Sequence, residues 1–311
     1  MRTGGLRPAA RLTISGDGHT AAMGVGLDGY WMSGYARPEL LATPEWLAEN
    51  IGRPGFGVLD VRWRPDGSGR RLYASGHIPG ATYVDWRTDL VEQEEDSEVL
   101  LMAGPQLVIE TLKRAGIGNG MAAILYDDLG VSYSARAWWT LRVYGLESVR
   151  LLMGGLEGWR ALGQPVSTAA ELRPPTSFTP HLQSRLRLAA SDVKQLIGSA
   201  GVQLLDARTP SEFAGHAGAT RRLGHIPGAL NVPAAGTADA RTGRFHTAEH
   251  LRALLRRAGV NPRHRLICYD SAGLGACKLA FALTLIGCDE VSVYDGGWAE
   301  WGDRLDLPAE R

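Results

Sequence analysis

Asp270 follows the apolar, strand-length run RLICY (265–269). It precedes Ser271, Ala272, Gly273, Leu274, Gly275 and Ala276, then Cys277 and the helical pattern KLAFALTLIG. Small residues with two glycines let successive backbone N–H groups turn inward, and a helix N-terminus adds positive partial charge, so residues 271–276 form a candidate anion cradle. A carboxylate at the head of that cradle suits two kinds of work. It can serve a small bound substrate as general base or nucleophile, or it can cap the orphan donors of the helix that follows. The spacing leaves both open.

The thiols are Cys268, Cys277 and Cys288. Cys268 lies two residues before Asp270, on the same side of the strand but deeper toward the sheet, which predicts a buried thiol. Cys277 falls in the first helical turn, where a dipole lowers a thiol pKa. Cys288 belongs to a helix-to-strand connection and is expected to be inert. An odd number of cysteines with no CxxC pair speaks against a disulfide scaffold and a cysteine-rich zinc site, and no metal or cofactor is expected.

The elements that must position these residues occur twice. VLDVRW (58–63), GHIPGA (76–81), ILYDD (124–128) and LLMGGLEGW (151–159) are followed in the same order by LLDART (204–209), GHIPGA (224–229), ICYDS (267–271) and VYDGGWAEW (293–301). Four matching segments with a nearly constant offset predict a duplicated domain. Each copy opens on a helical segment, with Thr43 and Ser191 as N-cap candidates, and then alternates strand-like runs with helical patterns such as GPQLVIETLKRAG and TAEHLRALLRRAG. That alternation predicts an α/β fold with a mainly parallel sheet flanked by helices in each domain. KLAFALTLIG is expected to be amphipathic. The expected layout is an irregular N-terminal arm (1–35), a first domain (36–163), a proline-bearing linker (164–188) and a second domain (189–311). The run Gly24-Val-Gly-Leu-Asp-Gly29 matches GxGxxG, but no apolar strand precedes it and no helix pattern follows, so the dinucleotide-loop reading lacks its scaffold.

The paired GHIPGA segments, the LDVR and LDAR strand ends, ARAWWTLRVYG (135–145) and VYDGGWAEW resemble two-domain rhodaneses, the thiosulfate and 3-mercaptopyruvate sulfurtransferases, over about residues 38–308. The resemblance implies a catalytically silent first domain. It also implies a second domain whose loop is headed by a cysteine that carries sulfur as a persulfide. Matching the loop on its preceding Tyr and following Ala-Cys puts that cysteine's place at Asp270, the loop at 271–275 and the helix start at Ala276, with Asp127 as the silent-domain counterpart. A carboxylate cannot hold a persulfide. A helix N-terminus would favour the charged form of Asp270, which at about 4 Å and an effective dielectric of 20 would repel an anionic donor by roughly 4 kcal/mol. The resemblance further implies substrate-guiding arginines between LDAR and GHIPGA, for which Arg208, Arg221 and Arg222 are available, while Glu212 stands where some relatives carry an arginine. Trp298 is expected to wall the pocket, with Trp301 nearby. His77 and His225 occur at the same place in both repeats and are expected to serve the turn.

Composition bounds the rest. At 311 residues, with 44% hydrophobic and 21% charged residues, the chain is long enough for two cores. Lys plus Arg and Asp plus Glu are both 33. The balanced charge and the lack of a basic stripe point away from nucleic acid as a partner. No apolar run has the length of a signal or spanning segment, so a cytoplasmic protein with no membrane partner is expected. Three functions are carried forward. One is an enzyme using Asp270 on a small, anionic or sulfur-containing substrate. The second is a non-catalytic binding or regulatory module, and the third is residual sulfur transfer through Cys268 or Cys277.

Overall fold

The computed structural model describes residues 34–92 and 99–311. Strands β1 (Leu41–Ala42), β2 (Phe56–Asp60), β3 (Ala81–Tyr83), β4 (Ala122–Tyr126) and β5 (Val149–Leu152) form a sheet in the order β1-β5-β4-β2-β3. In the second half, β6 (Arg187–Leu188), β7 (Val202–Asp206), β8 (Leu230–Asn231), β11 (Arg265–Tyr269) and β12 (Val291–Tyr294) form another, ordered β6-β12-β11-β7-β8. The two orders are the same, and every pairing within both sheets is parallel. A short antiparallel pair, β9 (Ala238–Asp239) with β10 (Arg244–Phe245), stands apart. Because helices cover both faces, the central strands read as apolar runs: β2 is buried throughout and β11 from Leu266 onward.

Register carries the duplication to the site. Asp60 pairs with Tyr126 and Asp206 with Tyr269, so Asp127 and Asp270 each emerge at the carboxyl end of a central strand. Helix Ser132–Val143 follows the first loop and helix Leu274–Leu285 the second, and these two helices pack against each other across the domain seam. The largest hydrophobic cluster runs through the seam and draws on both halves, including Trp138 and Phe281, whose rings meet edge-to-face at 4.9 Å. The expectation of an amphipathic second helix is therefore corrected. Ten of its twelve residues are buried, since one side meets its own sheet and the other meets the first domain.

Other local expectations shift for physical reasons. Thr43 caps its helix, accepting from the Trp46 N–H at 3.1 Å. Ser191 lies inside its helix instead: Ala189 is the N-cap, and Asp192 reaches back to the Ala189 N–H at 2.9 Å. The end of the segment expected as linker enters the second sheet as β6, where it covers an otherwise open edge of β12. Most of the expected arm, including Gly24–Gly29, lies outside the described residues. Its last residue is fastened to the second domain, the Tyr35 hydroxyl donating to the His246 carbonyl at 2.8 Å, and the Ala36 and Arg37 N–H groups at the start of the expected first domain donate to the Leu285 carbonyl. Among the described residues no helix is long and apolar enough to cross a membrane.

Candidate active-site loop

Both oxygens of Asp270 turn inward. They accept from the Gly273 N–H and, at 2.7 Å, from the Gly275 N–H, so the residue occupies the donors of the loop it heads. Its backbone carbonyl accepts from the Trp298 N–H at 2.6 Å, and that of Ser271 from the Ala299 N–H at 3.1 Å, which ties the loop to the start of helix Gly297–Asp303. This contact requires Gly297: it has φ +57°, and a Cβ there would collide with the Asp270 carbonyl oxygen. Gly155 repeats the arrangement against Asp127. Asp270 is 9% exposed. Burial raises its pKa above the ordinary carboxylate value, and the Gly275 and Gly273 donors and the Arg136 charge oppose the rise without cancelling it. The lowering expected from a helix N-terminus is thus outweighed by desolvation.

Asp127 heads the first-domain loop in the same way but is held more fully. It accepts from the backbone of Leu129, Val131 and Ser134 and from the Ser134 hydroxyl at 2.9 Å. Burial raises its pKa too.

Each carboxylate faces a cation supplied by the other domain's seam helix. Arg136, wholly buried, forms an ion pair with Asp295 at 2.8 Å, donates to the Leu100 carbonyl at 2.8 Å and lies 3.9 Å from the Cys277 sulfur. Its guanidinium fills the space where a side chain on Gly273 would be. Asp295 also accepts from the Met102 N–H and the Arg187 Nε. The repeat makes Lys278 the counterpart of Arg136, both 142 positions from their equivalents, and Met153 the counterpart of Asp295. Lys278 is accordingly buried beside Gly130 and has no hydrogen bond or ion pair among the described residues. Burial lowers its pKa, and Asp127 pulls it back up.

Of the three expected substrate-guiding arginines, two are committed to the scaffold. Arg208 forks Asp206 and donates to the Gly224 carbonyl, as Arg62 does with Asp60 and Gly76. Arg222 donates to the carbonyls of Trp301, Gly302, Arg304 and Leu307 at the end of the last helix. Arg221 is exposed, and its side chain makes no hydrogen bond among the described residues; only its backbone N–H is engaged, by Asp303. Trp298 is buried beneath the Arg208 guanidinium, 4.6 Å from its ring, and donates to the Arg222 carbonyl. Ser271 lies at the loop mouth with its hydroxyl 3.4 Å from Glu212. Ala272 and Leu274 are half-buried, whereas Ala276 is fully buried.

The duplicated histidines serve the turn. His77 Nδ1 meets the Tyr73 carbonyl and His225 Nδ1 the Phe213 carbonyl, each ring stacked on the aromatic residue that it bonds. All three thiols are buried and free; Cys277 is pushed up to about 12 and Cys288 to about 11, while Cys268 is raised well above its ordinary value, each chiefly by burial. Among the described residues no cluster of three or more His, Cys, Asp or Glu could hold a metal ion.

Sequence reasoning missed Arg136, Asp295 and Lys278. The available signal was a cation inside each apolar seam helix, in ARAWW and CKLAF, at equivalent places in the repeat.

Two sheets of one topology, each ending in an Asp-headed loop at the domain seam, define a tandem rhodanese fold of the sulfurtransferase-like class. The rhodanese-like domain family matches residues 43–162 and 189–304, and the chain belongs to it. It is 36% identical over 285 residues to SseB of Mycobacterium tuberculosis, covering 89% of this chain and 98% of that protein. It is 32% identical over 273 residues to the 3-mercaptopyruvate sulfurtransferase of Escherichia coli, covering 86% and 96%. The crystal structure of SseA from Escherichia coli, a 3-mercaptopyruvate sulfurtransferase of the rhodanese fold, superposes with a TM-score of 0.74 at 29% identity, covering 83% of this chain and 98% of that one.

Proposed function

We propose that this chain is a diverged sulfurtransferase-like enzyme in which Asp270 replaces the persulfide cysteine and acts as a proton acceptor on a small, anionic or sulfur-containing substrate at the second-domain loop. The observation that carries this reading is the unequal holding of the two aspartates. A carboxylate offers about four acceptor positions. Asp127 has four donors, whereas Asp270, also buried and likewise raised in pKa, has two. A carboxyl with spare acceptor capacity and a pKa raised by burial is suited to general acid–base work. Of the expected substrate-guiding arginines, Arg221 alone has a side chain with no hydrogen bond among the described residues, which leaves it as the candidate charge for an anionic group. The buried, high-pKa thiols are poor nucleophiles, because the reactive form is the thiolate.

A screen of small anionic and sulfur compounds tests the reading. Turnover should be found and should be lost in Asp270→Asn with folding intact; turnover indifferent to that change would sink it. Incubation of the native protein with thiosulfate or 3-mercaptopyruvate should leave no sulfur adduct by mass spectrometry, while Asp270→Cys should gain one. An adduct on the native chain that disappears on changing Cys268 and Cys277 to Ser would overturn the exclusion of persulfide chemistry.

A second reading, a non-catalytic binding module, draws on the inward turn of both Asp270 oxygens. It predicts compounds that stabilise the protein without any product formed.

A further inference from the structure

At the end of the seam helices remote from both loops, the domains part around a cavity of about 90 Å³. Trp138, Trp139 and Val293 supply apolar wall, and Arg37, Arg142 and Arg185 supply charge. A second cavity of about 260 Å³ shares Arg142 and Arg185 with the first. The three arginines come from three segments: the stretch before the first strand, the last turn of helix Ser132–Val143, and the turn Ser184–Leu186. Their charge is incompletely balanced. Asp289 pairs with Arg37, and Glu147 lines the second cavity. Arg142 reaches only the Glu147 backbone carbonyl, at 3.2 Å, and the Arg185 side chain has no hydrogen bond or ion pair among the described residues.

The gathered charge points to a missing polar partner. Burial, followed by the charges of Arg185 and Arg37, lowers the Arg142 pKa, so positive charge is gathered there against its own repulsion. Guanidinium groups fork oxyanions with two parallel hydrogen bonds, and an aromatic wall suits a flat apolar group.

We propose that this cleft binds a small molecule carrying an oxyanion on a flat apolar body, with the oxyanion held by Arg142 and Arg185 and the body against the tryptophan wall. The site is separate from the loop at 270–276 and does not depend on what that loop does. Calorimetric titration of the full chain with phenyl phosphate tests it. Saturable one-to-one binding is expected, weakened at least ten-fold in Arg142→Gln and in Arg185→Gln and unchanged in Asp270→Asn. Inorganic phosphate should bind more weakly, and benzyl alcohol not detectably. Because Arg185 is exposed, its variant should keep the native fold. Absence of binding, binding indifferent to Arg185→Gln, or binding lost in Asp270→Asn would each overturn the site; phosphate binding as tightly as phenyl phosphate would overturn the role of the apolar wall.

Discussion

The loops headed by Asp127 and Asp270 begin from the same strand register and end in the same kind of helix, yet the first is closed and the second only half so. The first loop carries left-handed backbone at both Gly130 and Val131, the second at Gly273 alone. With its additional residue and Ser134, the first loop wraps three backbone donors and a hydroxyl around Asp127. Gly275 and Ala276 offer no hydroxyl to Asp270. The cations differ as well, since Arg136 has Asp295 whereas Lys278 faces a domain with Met153 in that place. One duplicated frame therefore holds two unequal charge arrangements, and the difference lies in a few side chains, not in topology.

The comparison can be broken most forcefully at Arg136. Arg136→Met leaves Asp295 buried with Arg187 as its remaining ionic partner. Removing one member of a buried pair costs about 3–5 kcal/mol, so urea unfolding should show a loss of that order. A loss below about 1 kcal/mol, no more than a typical exposed pair, would show that the seam pair is not a stabilising element.

Next in size is the contrast between Asp127→Ala and Asp270→Ala. Each buried donor left without an acceptor costs about 1–3 kcal/mol, less where water enters. The first change strands four donors and the second two, so Asp127→Ala should be the more destabilising in denaturant; equal losses would erase the distinction on which the site assignment rests.

A smaller effect appears on titration. Since burial raises the Asp270 pKa, the folded protein holds that proton to higher pH than the unfolded chain, whose carboxyl titrates near about 3.9. The contribution of this group to stability is full below that value and declines as pH rises through the folded pKa. Asp270→Asn cannot ionise and lacks the decline. Its stability relative to the native protein should therefore increase as pH rises above about 4 and through the folded pKa, and a flat or falling difference would contradict the raised pKa. The smallest change is expected for Lys278→Met. Replacing an unpaired buried amine by an apolar chain of similar length removes a desolvated charge, so stability should hold or rise by about 1 kcal/mol; a clear loss would reveal a partner for the amine.

The sequence made the tandem α/β organisation legible because the repeat marks strand ends and turns together: LDVR with LDAR, and GHIPGA twice. It also marked the loop at 270–276, where strand, small residues and helix follow without interruption. The roles of the arginines were not legible. Arg208 lies two residues from Asp206, and only the fold shows that its fork closes on that carboxylate and on Gly224. Arg222 is turned away by carbonyls about eighty residues further along the chain. The raised pKa of Asp270 comes from burial in the folded protein, which no local pattern records and which outweighs the helix terminus. Helix Leu274–Leu285 misled for a related reason, as its second buried face exists only once the first domain is in place.

The trade of cations across the seam has a bearing on how the gene can be cut. A polypeptide beginning after the linker would carry Asp295 without Arg136, and one ending before it would carry Arg136 without that acid. Neither half inherits a complete charge set, and two copies of the second half could not repair each other, because Lys278 would stand where the guanidinium belongs. The halves are therefore expected to fold as one unit, so that fragments expressed separately should be insoluble, and a soluble, folded second half would contradict this.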